Sequence, residues 1–514
     1  MNMMSNTWSR LVRIGRLAMI GTVLTGAAAL LAAGAAEAAD KTLTVGIEQE
    51  PTGFDAVKGR VLGEAPASVM LTMVDRLMAY DADGKLKGEL AESMTASEDG
   101  LSYIFKLRRG VKFHDGTDFT ANDVVAHYNR ILDPANKYVG LLFINAIKGA
   151  EKIDDHTVRI DLKHPWQPMR DGLSAFSLCC FIPSAKAVAA DTMNRHPVGT
   201  GPYRFKEWRG GDKVVVERNP DYWNKDAKVY FDEIVFKLLP DQQTRFAALQ
   251  SGEIDVAWTD RGHSIVQARN DPKLAVYSRN GEGGGIFFLN NSKPPLDDVR
   301  VRRALSLVWD QKYYVESQLQ NTQRVTRSGF DDGGKCDSGY LPDGDFAAAK
   351  KLVGEIGKPI EVELVHTATQ RGRELGLLWQ QLAKRGGITI KLKPLDQLAF
   401  VGTVFKNDYQ MAGWRIADAG DIGPQLFALL LSKSPYNLAH YKDPEMDKLL
   451  MAMRTAETPE KRKTAMCAVV RKMNQDAPIL WVSGRTHNAI AKKTLKGLRP
   501  LYQGVVDVRF ARFD

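Results

Sequence analysis

The sequence predicts an α/β fold divided into two or three lobes, and three observations carry that expectation. Segments alternate apolar and polar residues as half-buried strands do: in Lys41 to Ile47, Leu43, Val45 and Ile47 fall on one side. Helical patterns intervene between such segments, which argues against an all-helical or all-β chain. The length from Ala39 to Asp514 exceeds what one core organises on the usual scale of about 100 to 200 residues per domain. With 44% hydrophobic and 25% charged residues, the composition is that of ordinary globular protein.

The N-terminal segment comes first. Arg10, Arg13 and Arg16 make a basic region, Leu17 to Ala33 an uncharged apolar run, and Ala36-Glu37-Ala38 an A-x-A cleavage pattern. Residues 1–38 therefore read as a secretory signal whose removal leaves a product free in the periplasm. The run approaches the roughly 17 to 20 residues of a membrane anchor, but its many small residues and the cleavage pattern behind it favour removal. Loss of this segment lowers the formal charge from +9 to +7, three arginines and one glutamate being removed. The remaining excess is spread out, with no basic stripe interleaved with aromatics, so no nucleic-acid partner is expected.

Further strand patterns are Thr157 to Leu162, Val214 to Arg218, Ile234 to Leu238, Ile360 to Val365 and Ile388 to Leu392. Helical patterns are Gln242 to Gln250, Val299 to Trp309, Phe346 to Leu352, Glu374 to Lys384, Pro444 to Thr455 and Pro459 to Asn474. The stretch Leu90 to Val124 is the most specific. Leu101 to Leu107 alternates as a strand, Arg108-Arg109-Gly110 ends it, and His114-Asp115-Gly116 makes a turn. Thr120 with Asp123 three residues on forms a capping box for a helix from about Ala121 to Ile131. Gly281-Glu282-Gly283-Gly284-Gly285 reads as a hinge or, equally, as a glycine-tolerant strand entrance.

Cys179, Cys180, Cys336 and Cys467 all lie in the exported part; a Cys336 to Cys467 bridge is one of the pairings open to them, and a Cys179 to Cys180 bond needs a strained ring. No histidine pair shows helical ligand spacing and no C-x-x-C occurs, so neither metal nor cofactor is expected. The absence of G-x-S-x-G, H-E-x-x-H and Ser/Lys signatures leaves a secreted hydrolase as a remote alternative and points to a protein that is not an enzyme.

The Leu90 to Val124 unit resembles the signature of the bacterial extracellular solute-binding proteins of family 5. So do Gly199-Thr200-Gly201-Pro202-Tyr203 with Asn219-Pro220-Asp221-Tyr222-Trp223, Phe246 to Val256, Asn291 to Val308, and Asn437 to Asp447, in collinear order over nearly all of the mature chain. The resemblance implies a periplasmic-binding-protein type II-like α/β fold with two binding lobes around a hinge and an extra inserted domain. By analogy the main lobe joins 39–86, 199–283 and 476–514, the inserted domain is 87–198 and the opposing lobe is 284–475. It implies a monomeric receptor that delivers a peptide or peptide-like small solute to an inner-membrane ABC permease complex. The alternative is the same scaffold for an opine, metal chelate, haem or oligosaccharide.

A peptide needs an acid for its ammonium, a cation for its carboxylate and backbone groups between. Gly413 to Pro424 resembles the element that meets the ligand ammonium in the peptide receptors, with Asp418 as its match and Asp421 as a rival. Thr52, Gly53 and Phe54 resemble a pocket-lining loop, and Trp414 offers a flat wall. Either Arg371 or Arg415 could take the carboxylate. His440 matches the family's N-x-A-H-Y motif and is expected to be structural.

Overall fold

A computed structural model describes residues 41–59, 64–81, 85–138, 140–166, 169, 180–330, 336, 338–341, 343–416, 418, 421–500 and 504–514. The signal segment expected at 1–38 and Cys179 lie outside these. The main sheet has ten strands: β1 (Thr42–Ile47), β2 (Tyr203–Arg209), β3 (Lys213–Arg218), β4 (Glu233–Leu238), β5 (Val256–Trp258), β6 (Leu274–Leu289), β7 (Ile360–Thr367), β8 (Ile388–Leu395), β9 (Met411–Ile416) and β10 (Ile479–Lys492). Their order is β8-β7-β9-β6-β10-β5-β1-β4-β3-β2. β1 runs parallel to β4 and β5, and β7 parallel to β8 and β9, while the remaining pairs are antiparallel.

The two longest strands, β6 and β10, lie side by side at the centre and, among the described residues, are the only strands that join the two halves of this sheet. Their pairing is interrupted between Gly281 and Gly284 and again at Gly285. The glycines are required there. Gly284 has φ +144 and a side chain on it would lie 2.1 Å from the Ser483 carbonyl oxygen. A side chain on Gly281 would lie 2.5 Å from Asp418 Oδ2. The glycine run is thus a bulged stretch of strand at the crossing between the halves.

Alternation distributes the core. On β6, Phe287 and Leu289 face one layer with Leu364, Trp309 and Trp379, whereas Ile286 and Phe288 face the other with Val365, Phe400, Ile422 and Trp481. Burying each such side chain contributes roughly 1.5–3 kcal/mol. A second, four-stranded sheet is ordered Ala91–Ala96, Ser102–Leu107, Thr157–Leu162, Ile147–Asp154. Its apolar face shares one continuous core with β1, β3, β4 and the C-terminal segment, from Leu43 to Ala511.

Local expectations hold closely. Helix Ala121–Leu132 starts at a capping box in which Asn122 N donates to Thr120 Oγ1 and Thr120 N to Asp123 Oδ2 at 3.0 Å. The six other helices read from the sequence form at Gln242–Ser251, Val299–Val308, Phe346–Ile356, Gln370–Arg385, Pro444–Arg454 and Pro459–Asp476. Cys336 and Cys467 are bonded, their Cα atoms 5.3 Å apart across 131 residues of sequence. Cys180 is disulfide-bonded as well.

Candidate functional site

A cavity of about 620 Å³ opens where the halves of the main sheet meet. By volume it holds on the order of 20 waters. β6 contributes Gly284 to Phe287, β10 contributes Val482 to Thr486 and β9 contributes Gly413 to Arg415. The C-terminal end of β7 adds Leu364, His366 and Thr367, and Trp258 and Asp260 follow from the end of β5. The cavity therefore lies at strand C-termini, where α/β sheets place ligands. Helix Gln370–Arg385 points its N-terminus at it, capped by Thr369, whose side chain accepts from Gly372 N. That end of a helix favours negative charge.

One wall is aromatic. Trp414 stacks on Phe400 with centroids 5.9 Å apart and an interplanar angle of 28°, and Phe405 meets its edge. The other wall is charged. Arg371 is ion-paired with Asp260, whose second oxygen accepts from Gln242 Nε2 at 2.8 Å. Burial pushes the Asp260 carboxyl up, but Arg371, Gln242 and Arg415 together hold it below the usual range. Asp260 in turn keeps Arg371 firmly charged. Arg485 is ion-paired with Glu64. Arg415 faces the open space of the cavity and has no hydrogen-bond or carboxylate partner among the described residues. Desolvation by the surrounding protein, then Arg485 and Arg371, lower its pKa, while the Glu64 and Asp260 carboxylates act in the opposite direction.

Of the residues singled out in the sequence, Trp414, Arg415 and Arg371 lie on this wall and the others do not. Phe54 is 1% exposed, packed edge-on against Phe205 and Trp208. Gly53 closes against the Asn194 side chain, and Thr52 Oγ1 donates to the Gly59 carbonyl. Asp421 pairs with Arg462 at 2.8 Å. Asp418 is buried behind the wall and accepts from His487 Nε2 at 3.1 Å. Arg485 Nε donates to Nδ1 of the same ring, which makes the histidine the neutral Nε2–H tautomer, and its burial lowers its pKa accordingly. A side chain would not fit at Gly281, between Asp418 and His487, so the two sides of the crossing touch there.

Sequence reading missed Asp260, Arg485, Phe400 and Tyr314. Asp260 had a signal, since it follows an apolar strand end. Phe400 and Tyr314 sit on helices whose patterns were not assigned.

The halves are bridged on the far side too. Arg454 Nε donates to His164 Nε2 at 2.7 Å and Arg454 Nη2 to Asn145 Oδ1 at 3.3 Å, linking the second sheet's segment to the opposing half. His164 Nδ1 lies 3.0 Å from the Pro165 carbonyl, so this ring carries its proton on Nδ1 and accepts at Nε2. Burial, with Arg454 and Lys163 nearby, lowers its pKa. The bridge needs the neutral ring: it is complete above the ordinary histidine value of about 6.5 and is lost as pH falls through the depressed one. Acidifying from neutral pH through that depressed value is expected to weaken ligand binding. In His164→Gln, whose amide oxygen accepts from Arg454 without titrating, calorimetry should show that component of the pH dependence gone.

Two half-sheets joined by a pair of crossing strands, with a cavity between them, define a two-lobed solute-binding receptor of the type II periplasmic-binding-protein fold. The chain belongs to the bacterial extracellular solute-binding proteins, family 5: the profile of that family's middle region matches residues 85–437. It is 30% identical over 497 residues to the probable di/tripeptide-binding protein 5 of Pseudomonas aeruginosa strain UCBPP-PA14, covering 90% of this chain and 93% of that one. It is 28% identical to the periplasmic oligopeptide-binding protein OppA of Escherichia coli K12, over 93% of each chain. The solved structure of NikA from Brucella suis in complex with Fe(III)-EDTA matches in fold, with TM-score 0.81 at 23% identity over 92% of this chain and 100% of that one. The family resemblance and the α/β fold read from the sequence are thereby borne out. No helix among the described residues is long and apolar enough to cross a membrane.

Proposed function

We propose that this protein is the exported periplasmic receptor of an ABC importer, capturing a peptide-like solute between its lobes and presenting it unaltered to an inner-membrane permease. The lobes are 39–86 with 199–283 and 476–514, the insertion 87–198, and the opposing lobe 284–475. The names of the relatives and the cavity chemistry support the same reading. One observation carries it: Arg415, a guanidinium without a hydrogen-bond or ion-pair partner among the described residues, stands in the cavity between the half-sheets beside an aromatic wall. Arg415 is exposed here, and closing the lobes over a solute would bury it; burying a cation is costly unless something pairs it, and a ligand carboxylate supplies the pair. Among the described residues, β9 beyond Ala412 pairs with β6 alone, and its other edge offers donors and acceptors to a peptide between its ends.

Mass spectrometry of solute retained by protein purified from the periplasm tests this. A carboxylate-bearing peptide or peptide analogue is expected. A sugar, or a ligand recovered cleaved, contradicts the reading.

A further inference from the structure

We propose that the solute enters as a net anion: its carboxylate sits at Arg415, and it brings no free ammonium into the cavity. The inference rests on the peptide-like reading above and narrows it to peptides whose amine is acylated or absent, or is outnumbered by carboxylates.

The charge count of the wall carries the argument. Its ionic side chains among the described residues are Arg371, Arg415, Arg485 and Asp260. Both Asp260 oxygens are taken, by Arg371 and by Gln242. Arg485 is neutralised from outside the wall by Glu64. One positive charge, on Arg415, is therefore left over. Of the other lining side chains that can ionise, Tyr314 and His366, the histidine has its Nδ1 2.9 Å from the Thr367 carbonyl oxygen. Beyond the wall, among the described residues, Asp418 is held by His487 at 3.1 Å and Asp421 by Arg462, and Glu48 lies 3.7 Å from Arg245. Glu282 accepts from Ile422 N, and burial with its two acidic neighbours, Asp421 and Asp418, pushes its carboxyl up to about 8. An ammonium inside would meet three guanidiniums, and the one acid among the described lining residues, Asp260, already has both oxygens paired. A carboxylate at Arg415 breaks none, and it relieves the repulsion that Arg485 and Arg371 exert there.

Competition calorimetry on the full mature protein, freed of retained solute by unfolding and refolding, tests the charge rule with Ala-Leu-Ala and N-acetyl-Ala-Leu-Ala. The acetylated peptide should bind at least tenfold more tightly, and Arg415→Gln should remove most of that difference. Equal or tighter binding of the free amine overturns the inference. In that case Glu48, whose carboxyl burial and Glu64 push up to about 7, is the acid to test as its partner. If neither peptide binds, the peptide-like reading fails, and the net charge of the solute identified by mass spectrometry decides: an anion upholds the charge rule and a neutral or cationic solute overturns it.

Discussion

Replacing Arg415 by alanine is expected to weaken ligand binding by about 2–5 kcal/mol, on the order of 30-fold to several thousand-fold in affinity. The cause is the ligand carboxylate left unpaired when the lobes close over it, since the other guanidiniums of the wall are already bound, Arg371 to Asp260 and Arg485 to Glu64. Because Arg415 has no partner in the protein among the described residues, its removal should leave the melting temperature nearly unchanged. Arg371→Ala differs on both counts. It frees a buried acid on the opposite lobe, so it should lower stability and disturb closure as well as binding. Calorimetry and thermal unfolding of the two variants side by side separate a ligand anchor from a bridge between lobes.

Arg509→Ala should destabilise the fold by about 3–5 kcal/mol, the usual consequence of breaking a buried ion network from one side. Arg509 is nearly inaccessible and forks onto Asp507, with Nε 3.0 Å from Oδ1 and Nη2 3.1 Å from Oδ2. Its Nη1 donates to Glu89 at 2.9 Å and lies 3.5 Å from Asp75. Asp75 is also held by Trp223 Nε1 and Thr200 Oγ1, so one guanidinium ties the start of the inserted segment, the glycine-rich turn and the C-terminal segment together. Burial and the adjacent Glu89 push Asp75 up to about 6 even with the arginine present. Without it, Asp507 loses its main counter-charge and Glu89 is left with Arg76 alone. Denaturant unfolding at pH 7 measures the loss, and Arg509→Lys, which keeps the charge and loses the fork, should recover part of it.

How far the sequence showed all this depends on the range of the interactions. Capping boxes and alternation are local, and Thr120 with Asp123 or the strand Thr157–Leu162 formed where they were read. The crossing strand β6 was half-hidden because its glycines lower strand propensity. They are there because the Ser483 carbonyl and Asp418 approach too closely for a side chain, and only the folded partner shows that. The site divides in the same way. Trp414 and Arg415 were found from a short motif at a strand end. The pairs that decide which arginine is available, Arg371 with Asp260 and Arg485 with Glu64, join residues 111 and 421 positions apart, and no pattern in the chain announces them. Asp418 was read as facing a ligand because the motif carries no information about β10, which lays His487 over it.

The most direct test of the account is a calorimetric comparison of N-acetyl-Ala-Leu-Ala with its C-terminal amide on the wild-type protein. The two differ only in the carboxylate assigned to Arg415. The account predicts that the amide binds at least about 30-fold more weakly, the lower end of what an unpaired enclosed charge is worth. Equal affinity for acid and amide would contradict it, because Arg415 would then have no carboxylate to hold.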